Sequence, residues 1–275
     1  MSWNVELHPA LAADDELIAV VGNLPLSFDI VEGETLHRGR NVIRRLHLTA
    51  AALIAKRFRR PNLFQSIYYT ITNSSKARRA FNNAVELLRR GIDTPHPAAF
   101  AEQRTLGLIT DCYYFCAEDD APAIAAPLNK AEQFDPQLAT AFALFAAQLH
   151  RKGILHGDLN STNTLYRLRH DGSYRFSVID INRMKFYAED HLPPLDECLE
   201  NLTRFTGRMD LFEHVATAYA SEMAEAFGLS SEDLKQRAIA RKQLHDQRWR
   251  RRKRMLHPFK KKSKPHPPKN NGNNP

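Results

Sequence analysis

Apolar residues recur with two periods along this chain, short alternating or continuous runs in its first part and helical stripes through most of the remainder. NVIRRLHL and TAAALIAKRF alternate or run apolar over strand lengths and predict a basic strand pair. PAAFAEQRT and LGLITDCYYFCAE predict two more strands, the second apolar and aromatic enough for the centre of a sheet. Two helices fall between these pairs, a short one from Pro61 to Ile71 and a longer one from Ser74 to Arg90. The longer helix buries Ala77, Phe81, Ala84 and Leu88 on one stripe and is ended by Gly91 and Pro95. The first forty residues are weakly patterned, and the apolar pieces around Val20 and Leu26 are assigned as strands.

Glu118 to Pro122 reads as a hinge, after which the helical period dominates. PQLATAFALFAAQLHRKGI sets Leu138, Phe142, Phe145 and Leu149 on one buried face and stops at Gly153. TLYRLR and YRFSVID then form a hairpin around Asp171 and Gly172. Helical patterns return at 195–205 and 210–227, and a polar helix starts at Ser231. The pattern divides the chain into a β-rich part (1–117), a mainly helical part (118–240) and a basic segment (241–275) whose apolar residues are too sparse for a core and which is expected to be disordered.

The chemistry sits between the buried helix and the hairpin. HGDLNSTN sets His156, Asp158 and Asn163 at the spacing H-x-D-x-x-x-x-N, the phosphotransferase catalytic loop. In that loop the Asp takes or orients the acceptor proton, the Asn holds a metal on the nucleotide phosphates, and the His braces the turn. A polar turn that merely caps a helix is the plain alternative. It loses to the order of elements, because the hairpin ends on Asp180, where a kinase holds its second metal ligand. Lys56, in LIAKRF, takes the place of the strand lysine that contacts the phosphates. The constellation predicts an α+β, bilobal protein-kinase-like fold with a small β-rich N-lobe and a mainly helical C-lobe. Arg183 and Lys185 follow Asp180 and read equally as solvated loop charges or as neutralising groups for an anionic acceptor.

At 275 residues such a fold fits comfortably. Three cysteines, Cys112, Cys116 and Cys198, give neither a disulfide framework nor a zinc motif. The net charge of +8 is unevenly placed: 13 Lys and Arg face only Asp246 from Arg241 onward, so the remainder carries −4. No secretory signal or transmembrane stretch is legible, which gives a cytoplasmic expectation. A glycine-rich phosphate loop is missing; Gly33 and Gly39 are the only glycines between Gly22 and Gly91, so GETLHRG is the candidate for that role.

With HGDLNSTN, SVIDINRMKF and an upstream pattern carried by Lys76, Arg79, Leu87, Leu88, Gly91, Ile92, Thr94, Pro95 and Pro97, the chain resembles the lipopolysaccharide-core sugar kinases of the Kdo/WaaP, or InaA-like, type over roughly residues 35–225. That resemblance implies ATP and Mg2+ as cofactors and phosphorylation of a Kdo or heptose hydroxyl on a glycolipid, at the inner face of the inner membrane. It implies Asp158 as base, Lys56 on the nucleotide phosphates, and Asn163 and Asp180 on the metal. The family's helix glutamate falls on Asn82 in a register counted from Gly91, and Glu86, one turn on, is the acid available to pair with Lys56. The basic segment, with Trp249 and Phe259, suits an anionic membrane surface, with nucleic acid as the other polyanion it could bind. A pseudokinase or nucleotide-binding scaffold is the competing class, motivated by Asn82 and the missing glycine loop.

Overall fold

In the computed structural model, which describes residues 2–24, 28–49, 52–189 and 191–256, the alternating runs assemble into one antiparallel sheet. Along the chain come β1 (Ser2–Leu7), α1 (Asp15–Gly22), β2 (Gly33–Arg38), β3 (Val42–His47), β4 (Ala52–Arg57), α2 (Leu63–Ile71), α3 (Lys76–Arg89), β5 (Pro97–Thr105) and β6 (Leu108–Ala117). Their order across the sheet is β1-β5-β6-β4-β3-β2. The aromatic β6 is central, as its composition predicts. Successive side chains of a strand point to opposite faces. Cys112, Tyr114 and Cys116 therefore pack with Phe81 and Ala84 of α3, and Tyr113 and Phe115 with Leu17 and Val21 of α1.

The piece around Val20 is helix α1, not a strand. Asp14 caps it by accepting the Leu17 N–H at 3.0 Å, and Leu17 and Val21, four apart, drop onto the sheet. Eight residues with one cap and two core contacts are too short a stripe to stand out in the sequence. Leu26 lies outside the described residues. In α3 the last core position belongs to Leu87, fully buried, while Leu88 is only half-buried. The stripe Ala77, Ala80, Phe81, Ala84, Leu87 keeps the 3.6-residue period better than steps of four.

The second half contains α4 (Pro136–Arg151), β7 (Ile154–Leu155), β8 (Thr164–Leu168), β9 (Tyr174–Val178), β10 (Lys185–Phe186), α5 (Leu195–Thr203), α6 (Met209–Met223) and α7 (Ser231–Leu256). Phe142 of α4 stacks on Phe205 at 4.1 Å, and Phe145 on Phe176 of β9 at 5.0 Å. These contacts hold the β8–β9 hairpin, which joins Asn163 to Asp180, against the buried helix. None of the described helices is long and apolar enough to cross a membrane.

The basic segment expected to be disordered from Arg241 is helical as far as Leu256. Leu234, Ala238 and Lys242 are buried against α5 and α6. Lys242 sends its ammonium to Asp246 at 2.7 Å and lies 5.8 Å from the Phe212 ring, while Arg241 pairs with Asp196. Long basic side chains bury their stems while keeping the charged head paired, so the helix docks with few apolar residues. Residues 257–275, Phe259 among them, lie outside the described residues.

Candidate active site

A cleft of about 720 Å³ opens between the sheet and the helical half. Leu36, His37 and Asn41 of the β2–β3 hairpin lie on its rim, which is where the sequence put the substitute for a glycine loop. Lys56, on β4 between Ile43 of β3 and Tyr114 of β6, projects into the cleft and donates to Asp180 Oδ1 at 2.6 Å. Strand position and hairpin end, 124 residues apart in sequence, thus meet at one ion pair.

Asp180 has left-handed backbone angles, φ 57° and ψ 44°, a conformation that Asp and Asn tolerate better than most residues. Its Oδ1 also accepts from Asn182 Nδ2 at 2.9 Å, whereas Oδ2 has no hydrogen bond among the described residues. Burial pushes the Asp180 carboxyl up. The charge and hydrogen bond of Lys56, helped by His156 and Arg183, outweigh it and hold the group below the usual carboxylate value.

The loop from His156 to Asn163 is tied together internally. His156 is fully buried, its Nε2 facing the Ile179 carbonyl at 3.0 Å and its Nδ1 accepting the Asp158 N–H at 3.3 Å. Burial keeps its pKa below the ordinary histidine value, so the ring is neutral and can accept and donate in this way. Gly157 passes so close to the 181–183 turn that a Cβ would stand 2.5 Å from the Arg183 carbonyl, so only glycine fits. Asn163 donates from Nδ2 to the Asp158 carbonyl at 3.1 Å. That bond turns its Oδ1, which has no partner among the described residues, to the cleft shared with Asp180.

Asp158 itself faces elsewhere. It borders a second cavity, of about 580 Å³, formed with the 203–207 segment and α7. Arg183 and Arg204 approach its two oxygens at 3.8 and 3.7 Å, outside hydrogen-bond distance. The loop from His156 to Asn163 is therefore a partition: Asn163 on the cleft side, Asp158 on the other.

Several sequence expectations are corrected here. Glu86 does not reach Lys56; it is bound by Arg89 at 2.7 Å and Arg90 at 2.6 Å, at the far end of α3. Asn82 is exposed, and the α3 residue lining the cleft with Lys56 and Asp180 is Ala80. Asn83 and Arg79 hold the reactive turn instead, donating to the carbonyls of Ile181 at 2.7 Å and Asn182 at 3.1 Å. Of the two cations after Asp180, only Arg183 faces the loop; Lys185 is engaged by Glu197 at 2.8 Å and by Tyr187. Arg204 and the α7 residues at the second cavity were missed. Their signal was present as the helical spacing of Lys242, His245, Trp249 and Arg252, hidden within a charge run.

A cleft between a β-rich and a helical half, with Lys and Asp paired across it and an HxDxxxxN loop beneath, defines the protein-kinase-like class of phosphotransferases. The model of the lipopolysaccharide kinase (Kdo/WaaP) family matches residues 58–205, more than half the chain, and the chain belongs to that family. It is accordingly a kinase of lipopolysaccharide biosynthesis, transferring phosphate to a sugar hydroxyl. Among solved structures it is similar to WaaP in a complex with acyl carrier protein, with 15% identity and a TM-score of 0.54, over 86% of this chain and 99% of that one. No curated protein matches it.

Proposed function

We propose that the protein transfers the γ-phosphate of ATP to a hydroxyl of Kdo or heptose in the lipopolysaccharide inner core. The observation that carries this reading is the partition: one loop lends Asn163 to the cleft of Lys56 and Asp180, and Asp158 to the second cavity. Phosphoryl transfer asks a protein mainly for alignment and charge neutralisation. Lys56, whose side chain is 14% exposed and lines the cleft, holds the phosphates, and Asp158 receives the acceptor hydroxyl proton. His156 keeps Asp158 in place through the backbone.

Asn163 Oδ1 and Asp180 Oδ2 fit a magnesium ion. Among the described residues no group of three or more His, Cys, Asp or Glu would hold a metal unaided. Mg2+ is ordinarily bound by one or two protein oxygens with waters and substrate phosphates. When bound, the ion neutralises charge on the phosphates; the orientation of its two protein oxygens is set by Lys56, Asn182 and the Asp158 carbonyl.

Docking on an anionic membrane follows from a lipid-linked acceptor. It is supported by the apolar face of α2, where Leu63, Phe64 and Ile71 are exposed beside Arg59 and Arg60. The test of the reading is transfer of labelled γ-phosphate to Kdo-bearing lipid A by wild type and Asp158→Asn. Transfer that drops by about 10²–10⁴-fold in the variant is expected for a lost general base. Equal transfer by both removes Asp158 from the reaction. ATP binding without transfer to any sugar acceptor would favour the scaffold reading.

A further inference from the structure

The second cavity carries more charge than its own contacts consume. Five Lys and Arg side chains line it against three carboxylates, Asp158, Glu200 and Asp246. Lys242 is spent on Asp246, and His245 binds Glu200 at 3.1 Å and the Thr203 hydroxyl at 3.1 Å. Among the described residues, Arg204 has only its 3.7 Å approach to Asp158. Arg248 and Arg252, one turn apart on the same face of α7, have no acidic partner among the described residues. Guanidinium groups concentrated around a cavity without counter-charges are the usual arrangement for holding a carboxylate or a phosphate.

Position gives the surplus a use. A hydroxyl delivered to Asp158 comes from an acceptor that cannot occupy the nucleotide cleft, so the acceptor extends into the cavity that Asp158 borders. Arg248 and Arg252, on α7, lie outside the residues that the family model matches, so family membership does not imply their part in this subsite. We propose that Arg204, Arg248 and Arg252 form an acceptor subsite that grips an anionic substituent, carboxylate or phosphate, on the glycan beside the hydroxyl being phosphorylated. The inference rests on the reading of Asp158 as the group that meets that hydroxyl.

The test uses the full-length protein, wild type against Arg248→Ala/Arg252→Ala and Asp158→Asn, with Kdo-bearing lipid A, its carboxyl methyl ester and its dephosphorylated form as acceptors. Both arginines are exposed, so the double variant is expected to fold. It is expected to raise the acceptor KM by about tenfold or more, the loss of charge-assisted hydrogen bonds, with kcat and the ATP KM unchanged. The neutralised acceptor on which wild type and double variant no longer differ identifies which anion is gripped. An acceptor KM equal to wild type overturns the subsite. Calorimetric titration with free Kdo and with inorganic phosphate reads the same difference without turnover; equal affinities for both ligands in both proteins likewise overturn it. A double variant without effect beside an inactive Asp158→Asn defeats the subsite alone. Full transfer by Asp158→Asn defeats the reading on which it rests.

Discussion

The two ends of α3 carry charge in opposite ways. At its N-terminal end Ala80 lines the cleft, and Arg79 and Asn83 hold the turn after Asp180. Asp180 is shared with Lys56 but keeps one oxygen without a hydrogen bond among the described residues. At the C-terminal end Glu86 is saturated by two guanidiniums, and Arg90 also donates to the carbonyls of Lys152 at 2.6 Å and Tyr187 at 2.9 Å. That end clamps the helix to the other half of the molecule. A carboxylate whose acceptor capacity is used up locally is structure; one left with spare capacity beside a cleft is available for chemistry.

The sharpest way to break this contrast is Lys56→Met. Turnover is expected to fall by about 10²–10³-fold, the scale of losing one preorganised electrostatic contact, while the melting temperature barely moves. Unchanged turnover with a lowered melting temperature would make the cleft pair structural and erase the distinction.

A pair of glutamates placed on the same helix sharpens it further. Ala84→Glu puts a charge in a fully buried, packed position and is expected to destabilise the protein by about 3–5 kcal/mol, enough to unfold the lobe. Ala80 is also buried, but it borders the cleft, where a new carboxylate can reach Lys56 and solvent, and Ala80→Glu is expected to cost less than Ala84→Glu. Denaturant unfolding of both checks the prediction, and equal losses would mean that Ala80 does not open onto the cleft.

Acid separates the two regions by a different route. His150 is fully buried between Tyr219 and Asn201, and burial pushes its pKa down to about 3. His156 is shifted in the same direction by the same cause. A histidine depressed in the folded state is neutral there while the unfolded chain takes up protons, so stability is lost as pH falls below the unfolded value near 6.5. Between that pH and 5, His150 alone is expected to remove about 2 kcal/mol. His150→Gln should flatten this part of the profile in unfolding titrations; an unchanged slope would refute the assignment.

Glu86→Gln is the smallest effect, about 1 kcal/mol for a partly solvated pair, with kcat intact. The Glu86 carboxyl is held down to about 2 by its hydrogen bonds to Arg89, against the upward push of burial, with Arg90 adding to the pull. Its contribution is therefore complete above the unfolded value near 4.5 and fades only as pH falls toward 2. A loss of turnover in this variant comparable to that of Lys56→Met would return Glu86 to the active site.

Local sequence was enough for the elements that depend on neighbours along the chain. The HxDxxxxN loop, the stripe of α4, the hairpin ending on Asp180 and the central place of β6 were all legible, because period and turn chemistry act over a few residues. Which α3 residue lines the cleft beside Lys56 was set by packing between distant elements. Each residue turns a helix by roughly 100°, so counting back from Gly91 to Asn82 instead of Ala80 rotates the expected side chain by roughly 200°, from the cleft to solvent. Glu86 was decided in the same way: a free acid in the sequence, it had its charge taken by Arg89 and Arg90 once the helix formed. The stretch 241–256 looked too polar to fold because its stability comes from surfaces on α5 and α6 that no window of its own sequence contains, and that docking is what brings its arginines to Asp158.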